Sequence, residues 1–183
     1  MCHIELEDPQ FFALLSQIDE EVALRAQAQG CPCGGVLHQA HYPRKPRGCS
    51  SEAREHCSLR FSYCCSVCRK RTTPASVRFL GCFVYLSVVV VLSSARRAGL
   101  SSSEQRWCQH LSINHRTLRR WQQWWRERFV RTPFWQARCA RFMPSVDALA
   151  LPTSLLQRFA HADCALLSFL RFLAPLGRAA HAL

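Results

Sequence analysis

Two cysteine pairs around a polar, alternating stretch, helical apolar spacing through most of the chain, and one strongly basic helical segment together predict the fold class. It is mainly α with a small β zinc ribbon, a helix-turn-helix core and a helical C-terminal cap. The chain has 183 residues, 49% of them apolar, which is enough to bury one ordinary core or two small ones. Shifts in composition divide it into an amphipathic helix at 1–29, a ribbon-like hairpin module at 30–78, a helix-turn-helix segment at 79–131, and a cap or dimerisation region at 132–183.

Phe12, Leu15, Ile18, Val22 and Leu24 recur at near-helical spacing, which predicts a helix over 9–28 with Gly30 as its stop. Alternation over 36–42 and 59–63 predicts two short strands, and the punctuated stretch PRKPRGCSSEAREHC between them reads as a loop. Within it, residues 42–48 (YPRKPRG) bear a loose likeness to a minor-groove hook, but a solvated hairpin tip explains them better. The apolar run FLGCFVYLSVVVVLSSA at 79–95 is shorter than the roughly 20 residues of a membrane span, so it reads as a buried helix and no membrane association is expected. Helices are expected at 102–110, 114–130, 133–142, 152–161 and 163–175, separated by prolines.

Charge is uneven. There are 24 basic and 12 acidic residues, and only Lys45 and Lys70 among the basic ones are lysine. Residues 1–28 carry a net −5, whereas residues 69–132 carry +11 of the overall +12. A basic segment of this density suits a polyanion, and arginine suits phosphate and guanine in particular. The acidic start, MCHIELEDPQFFALL, has no basic n-region and is not read as a signal peptide. A cytoplasmic, nucleoid-associated protein with reduced thiols is the expectation, and clustered thiols there bind metal.

CPCGG at 31–35 and CSVC at 65–68 supply two thiolate pairs separated by a hairpin. Four thiolates suit a closed tetrahedral Zn²⁺ site with a structural role, so Cys31, Cys33, Cys65 and Cys68 are the expected ligands. Gly34 and Gly35 suit the sharp turn that follows a ligating cysteine. Arg69, Lys70 and Arg71 would steady the centre's negative charge. The one-residue spacing of Cys31 and Cys33 is tight, and Cys64 competes with Cys65. His38, His41, Cys49, His56 and Cys57 are nearby alternatives. Cys82, Cys108, Cys139 and Cys164 stand alone in apolar patterns and read as core fillers.

Ser101 and Glu104 have the spacing of a capping box opening a helix through His110. Leu111, Ser112 and Ile113 form a turn, after which Asn114 caps a second helix. Cys108 is the small residue expected where the two helices meet, and Trp107, Leu111, Ile113, Leu118, Trp121 and Trp125 supply their shared core. The opposite face presents Asn114, His115, Arg116, Arg119, Arg120 and Gln123 to base edges, with Arg126 and Arg128 toward phosphates. Arg69, Lys70 and Arg71 join them as candidate DNA contacts.

A cysteine ribbon, a long apolar helix and then "GLS…LSINHRTLRRW" resemble the N-terminal DNA-binding part of bacterial insertion-sequence transposases, over residues 31–130. The resemblance implies the four cysteines as zinc ligands and 114–123 as the reading helix. Such transposases also carry a ribonuclease-H-like domain whose acids hold Mg²⁺. After Glu127 this chain has only Asp147 and Asp163, so no catalytic residue is assigned and no enzyme is expected. The expected function is non-enzymatic, zinc-stabilised, sequence-specific binding of double-stranded DNA, by a mobile-element accessory or a repressor. The alternatives are a truncated or partner-dependent transposase subunit working with a catalytic chain, or a zinc-containing adaptor for an acidic protein partner. The apolar tail would either cap the core or pair two copies in a homodimer.

Overall fold

Asp19 and Arg78, 59 residues apart, form an ion pair at the centre of the N-terminal part of the chain, with 1% and 2% of their surfaces exposed. A computed structural model describes residues 8–81, 83–95 and 102–178, with 102–105 and 178 as backbone alone. The chain is mainly helical with a small antiparallel sheet and gathers into two compact units, residues 1–87 with 173–183 and residues 88–172.

In the first unit α1 (Pro9–Ala28) opens with Asp8, whose carboxylate accepts the Gln10 N–H, and ends before Gly30 at φ 71. Its buried face is Phe11, Phe12, Leu15, Ile18, Asp19 and Ala23. Leu24, expected on that face, is 55% exposed: two residues beyond Val22 it is rotated by about 200°. The place taken inward is that of Asp19. Its carboxylate accepts from Ser76 Oγ, from the Val77 N–H at 2.7 Å and from Arg78 Nε at 2.8 Å. Arg78 Nη1 also donates to Ser16 Oγ and to the His56 carbonyl, and its guanidinium lies over the rings of Phe61 and Phe79.

The expected hairpin forms with one interruption. β1 (Leu37–Gln39) pairs antiparallel with β4 (Tyr63–Cys65), and β2 (Tyr42–Pro43) pairs with β3 (Leu59–Arg60) in the same alignment. Between them the Ser62 N–H donates to the ring Nδ1 of His41 rather than to a backbone carbonyl. Phe61 and Tyr63 meet that ring edge-on. β5 (Arg71–Thr72), a strand not foreseen, adds to β4.

The loop between the strands is more ordered than its composition implies. It contains α2 (Ser51–Glu55), capped by Ser50 Oγ. Arg44 is no solvated tip residue. Its N–H donates to the Ser58 carbonyl, its Nη2 donates to the Phe83 carbonyl, and it lies over the Phe79 ring.

The apolar run at 79–95 is helical only over α3 (Ser87–Ala95). Upstream, Asp19 takes the Val77 N–H, the Phe79 N–H turns to Ser76 Oγ, and Gly81 sits at φ 60, so the helical ladder cannot begin. Ser87 Oγ donates to the Val77 carbonyl where it does begin. Val88, Val89, Val90 and Val91 are fully buried, as a helix apolar on all sides requires. Among the described residues no helix is long and apolar enough to cross a membrane.

In the second unit α4 (Ser102–His110) and α5 (His115–Gln123) join through a tight turn. The Ser112 N–H donates to the Gln109 carbonyl and the Ile113 N–H to the Cys108 carbonyl, with Ser112 at φ 50. This is a Schellman termination made without glycine. The proposed capping box of Ser101 and Glu104 lies outside the described side chains, as does Cys82. Trp107, Leu111, Ile113, Leu118, Trp121 and Trp125 are all buried, and Trp107 Nε1 donates to Ser93 Oγ. Cys108, Cys139 and Cys164 are only half-buried, so they are not core fillers.

The long helix expected to 130 changes character after Gln123. Trp124–Arg128 form a π-helical turn, closed by the Phe129 N–H on the Trp124 carbonyl, and Phe129–Arg131 tighten to 3₁₀. The widened turn brings the adjacent Trp124 and Trp125 inward together. Downstream helices are shorter than expected: α6 (Pro133–Gln136), α7 (Thr153–Leu156) and α8 (Ala165–Leu173), with 3₁₀ turns between and after them. Their aromatics pack on the same cluster, Trp125 against Phe169 and Phe129 against Trp135. Most of this tail therefore covers a core, although Met143 and Leu149 stay outside.

Removing one partner of a buried ion pair leaves an uncompensated charge or donor set. Asp19→Ala should therefore cost about 3–5 kcal/mol of stability in chemical denaturation. A loss below about 1 kcal/mol would mean that the pair does not organise the unit.

Candidate metal centre and basic helix face

The four cysteines singled out by spacing meet at one point. The sulfurs of Cys31, Cys33, Cys65 and Cys68 lie within 4.8 Å of one another. Cys33 is 3.4 Å from both Cys31 and Cys65, and Cys31 is 3.6 Å from Cys68. Around a tetrahedral ion with metal–sulfur bonds of about 2.3 Å, neighbouring thiolates sit about 3.8 Å apart. The donor set and spacing therefore fit one thiolate-bound metal ion.

Local backbone geometry builds both halves. In CSVC, the N–H groups of Val67 and Cys68 point at Cys65 Sγ, each at 3.4 Å. Arg69 at φ 59 then turns the chain so that the Lys70 carbonyl accepts the Cys65 N–H. In CPCGG, the Gly34 N–H donates to the Cys31 carbonyl and the Cys31 N–H to the Gly35 carbonyl, with Gly34 at φ 83. The tight one-residue spacing is thus absorbed in a closed turn. Gly35 is required for space rather than for its φ: a Cβ there would lie 2.5 Å from Cys65 Sγ.

The electrostatics are unequal. The Cys68 N–H, more than burial opposes it and with the help of Val67, brings Cys65 down to about 6. The Gly35 N–H lowers Cys33. Cys31 runs the other way. The Cys33 N–H favours its thiolate, but the crowding sulfurs of Cys33, Cys68 and Cys65, together with desolvation, push it up to about 12. Four sulfurs in contact share protons unless a cation replaces them.

The alternative ligands fall away for geometric reasons. Cys64 alternates to the other side of β4, where its sulfur faces the Arg69 carbonyl. His41 is bonded into the strand break, and His38 is exposed on β1. Cys57 is buried and Cys49 half-buried, and neither sulfur belongs to the group that meets around one point; burial raises both thiols, Cys57 to about 12. Sequence reasoning missed the support behind the centre. Ala23 of α1 packs with Leu37, Tyr63 and Cys65, and Gln27 Nε2 donates to the Leu37 carbonyl. The only signal was a small residue on a helix face.

Arg69 and Lys70 are exposed on the turn after Cys68. Arg71 is instead engaged with the sheet: its Nη1 donates to the Ala40 carbonyl and to Ser62 Oγ, and it lies over the Tyr42 ring. With Arg78 buried, two of the positive charges counted in the basic segment serve packing.

In the second unit, Asn114, His115, Arg116, Arg119, Arg120, Gln123 and Arg126 are all exposed. Asn114 Oδ1 accepts the Arg116 N–H and caps α5. Gln123 Nε2 donates to Glu127 Oε2, and Arg126 Nε to the Gln122 carbonyl. His115, Arg116, Arg119 and Arg120 have no ion pair among the described residues.

Changing Cys65 and Cys68 together to serine should remove about one bound metal ion per chain, read by metal analysis of the purified protein. Cys64→Ser should leave the content unchanged, and the reverse pattern would exchange their roles. No protein-family model, no curated protein and no solved structure matches the chain.

Proposed function

We propose that the chain is a zinc-stabilised, sequence-specific binder of double-stranded DNA with no chemistry of its own, of the kind that serves a mobile element or acts as a repressor. The observation that carries this reading is the outer face of α5. Four basic side chains project there from a capped helix, fixed by a tight turn to a second helix, with no acid pairing them among the described residues. A capped helix joined to another by a tight turn supports a helix-turn-helix reading, in which the second helix enters the major groove.

Zinc is the metal that four thiolates in a closed tetrahedral shell suit best. With every position filled by sulfur, it would brace the hairpin as a zinc ribbon, held by Cys31, Cys33, Cys65 and Cys68. Exposed Arg69 and Lys70 beside it are suited to phosphate contact. Asp147, one of the few acids late in the chain, caps a 3₁₀ turn through the Leu149 N–H.

Binding of a labelled duplex by the metal-loaded protein should weaken steeply with salt, log K falling by about 0.9 per phosphate contact for each log unit. Salt-independent association, or none, would refute the DNA reading and favour a protein partner. Stripping the metal with a chelator should unfold the first unit and lower duplex affinity with it.

A further inference from the structure

Resting on that reading of α5, we infer that the base it selects is guanine, through Arg116 and Arg120. An amide reads adenine in the major groove by accepting from N6 and donating to N7. Both amides on the outward face of α5 are engaged within the chain. Asn114 Oδ1 is the acceptor of the Arg116 N–H at 2.9 Å, so turning it toward a base would uncap the helix. Gln123 Nε2 donates to Glu127 Oε2 at 3.0 Å and sits in the last turn, beyond the first turns that meet base edges. Glu127, the outward acid that could accept from cytosine N4, lies in the π-helical turn beyond α5, farther still from the first turns.

What remains is a set of donors. At about 100° per residue, Arg116 lies opposite the buried stripe of Leu118, Trp121 and Trp125, and Arg120 follows one turn later on the same side. Both are exposed and without an ion pair among the described residues. A guanidinium has five donors in a fixed fork and no acceptor, which matches O6 and N7 of guanine and leaves the N6 amine of adenine unmet. His115 and Arg119 lie to one side of that line, where they would suit phosphate contact.

The test is selection of bound sequences from a random duplex pool with the full metal-loaded chain, followed by base replacement. Enrichment of G·C pairs is expected. Replacing an enriched guanine by 7-deazaguanine, which keeps its pairing but lacks N7, should weaken binding by roughly 5- to 150-fold. In Arg116→Ala or Arg120→Ala protein, the analogue should cost nothing further at the position which that arginine reads. Both side chains are exposed, and circular dichroism would verify that the variants keep the fold. Enrichment of A·T pairs alone, or indifference of the parent protein to the analogue, would overturn guanine readout and leave DNA binding standing. Failure to retain any duplex, or retention without sequence enrichment, would overturn the sequence-specific DNA reading itself.

Discussion

The N-terminal unit depends on one desolvated contact, the carboxylate of Asp19 against the guanidinium of Arg78. A buried ion pair is stable only when its remaining donors and acceptors are met. Here Ser76, Val77, Ser16 and the His56 carbonyl meet most of them, and the guanidinium lies over two aromatic rings. Because the partners come from α1, from the end of α2 and from the irregular stretch before α3, satisfying the pair positions all three. It seats α1 so that Ala23 backs Cys65. It also holds residues 76–79 out of a helix and thereby sets where α3 begins.

This dependence explains what could be read from the chain and what could not. The four cysteines were legible because metal-ligand spacing is a local pattern. The turn between α4 and α5 was legible because a capping asparagine and apolar spacing are local as well. Asp19 was not: an acid on an amphipathic helix looks like any solvated acid until its partner 59 residues away is known. The same blindness made 79–86 look helical, since apolarity records burial and not conformation. The interruption of the hairpin at His41 and the engagement of Arg71 also depend on cross-strand neighbours. Net charge misled in the same direction, because it counts a buried arginine and a projecting one alike.

The four-cysteine cluster shows how little backbone a candidate metal site needs. Each cysteine pair closes its own turn, and the two turns touch through a glycine that cannot carry a side chain without striking a ligand sulfur. The tighter N-terminal pair is compensated by Gly34 at positive φ, whereas the C-terminal pair uses two backbone donors on one sulfur. The first half is closed by its own carbonyls, and the second by the Lys70 carbonyl together with sulfur as an acceptor.

On the proposed function, the π-helical turn at Trp124–Arg128 would also limit information. By turning two tryptophans inward it ends the regular outward face of α5 after nine residues, a length of about 13.5 Å. Against a duplex rising about 3.4 Å per base pair, that spans about four pairs. A word of four letters recurs by chance roughly once in 250 base pairs, far too often to mark a single locus among the competing sites of a genome. If α5 reads DNA as proposed, a helix of this reach would supply a syllable, and addressing one site would require a second syllable from another copy or another surface of the chain.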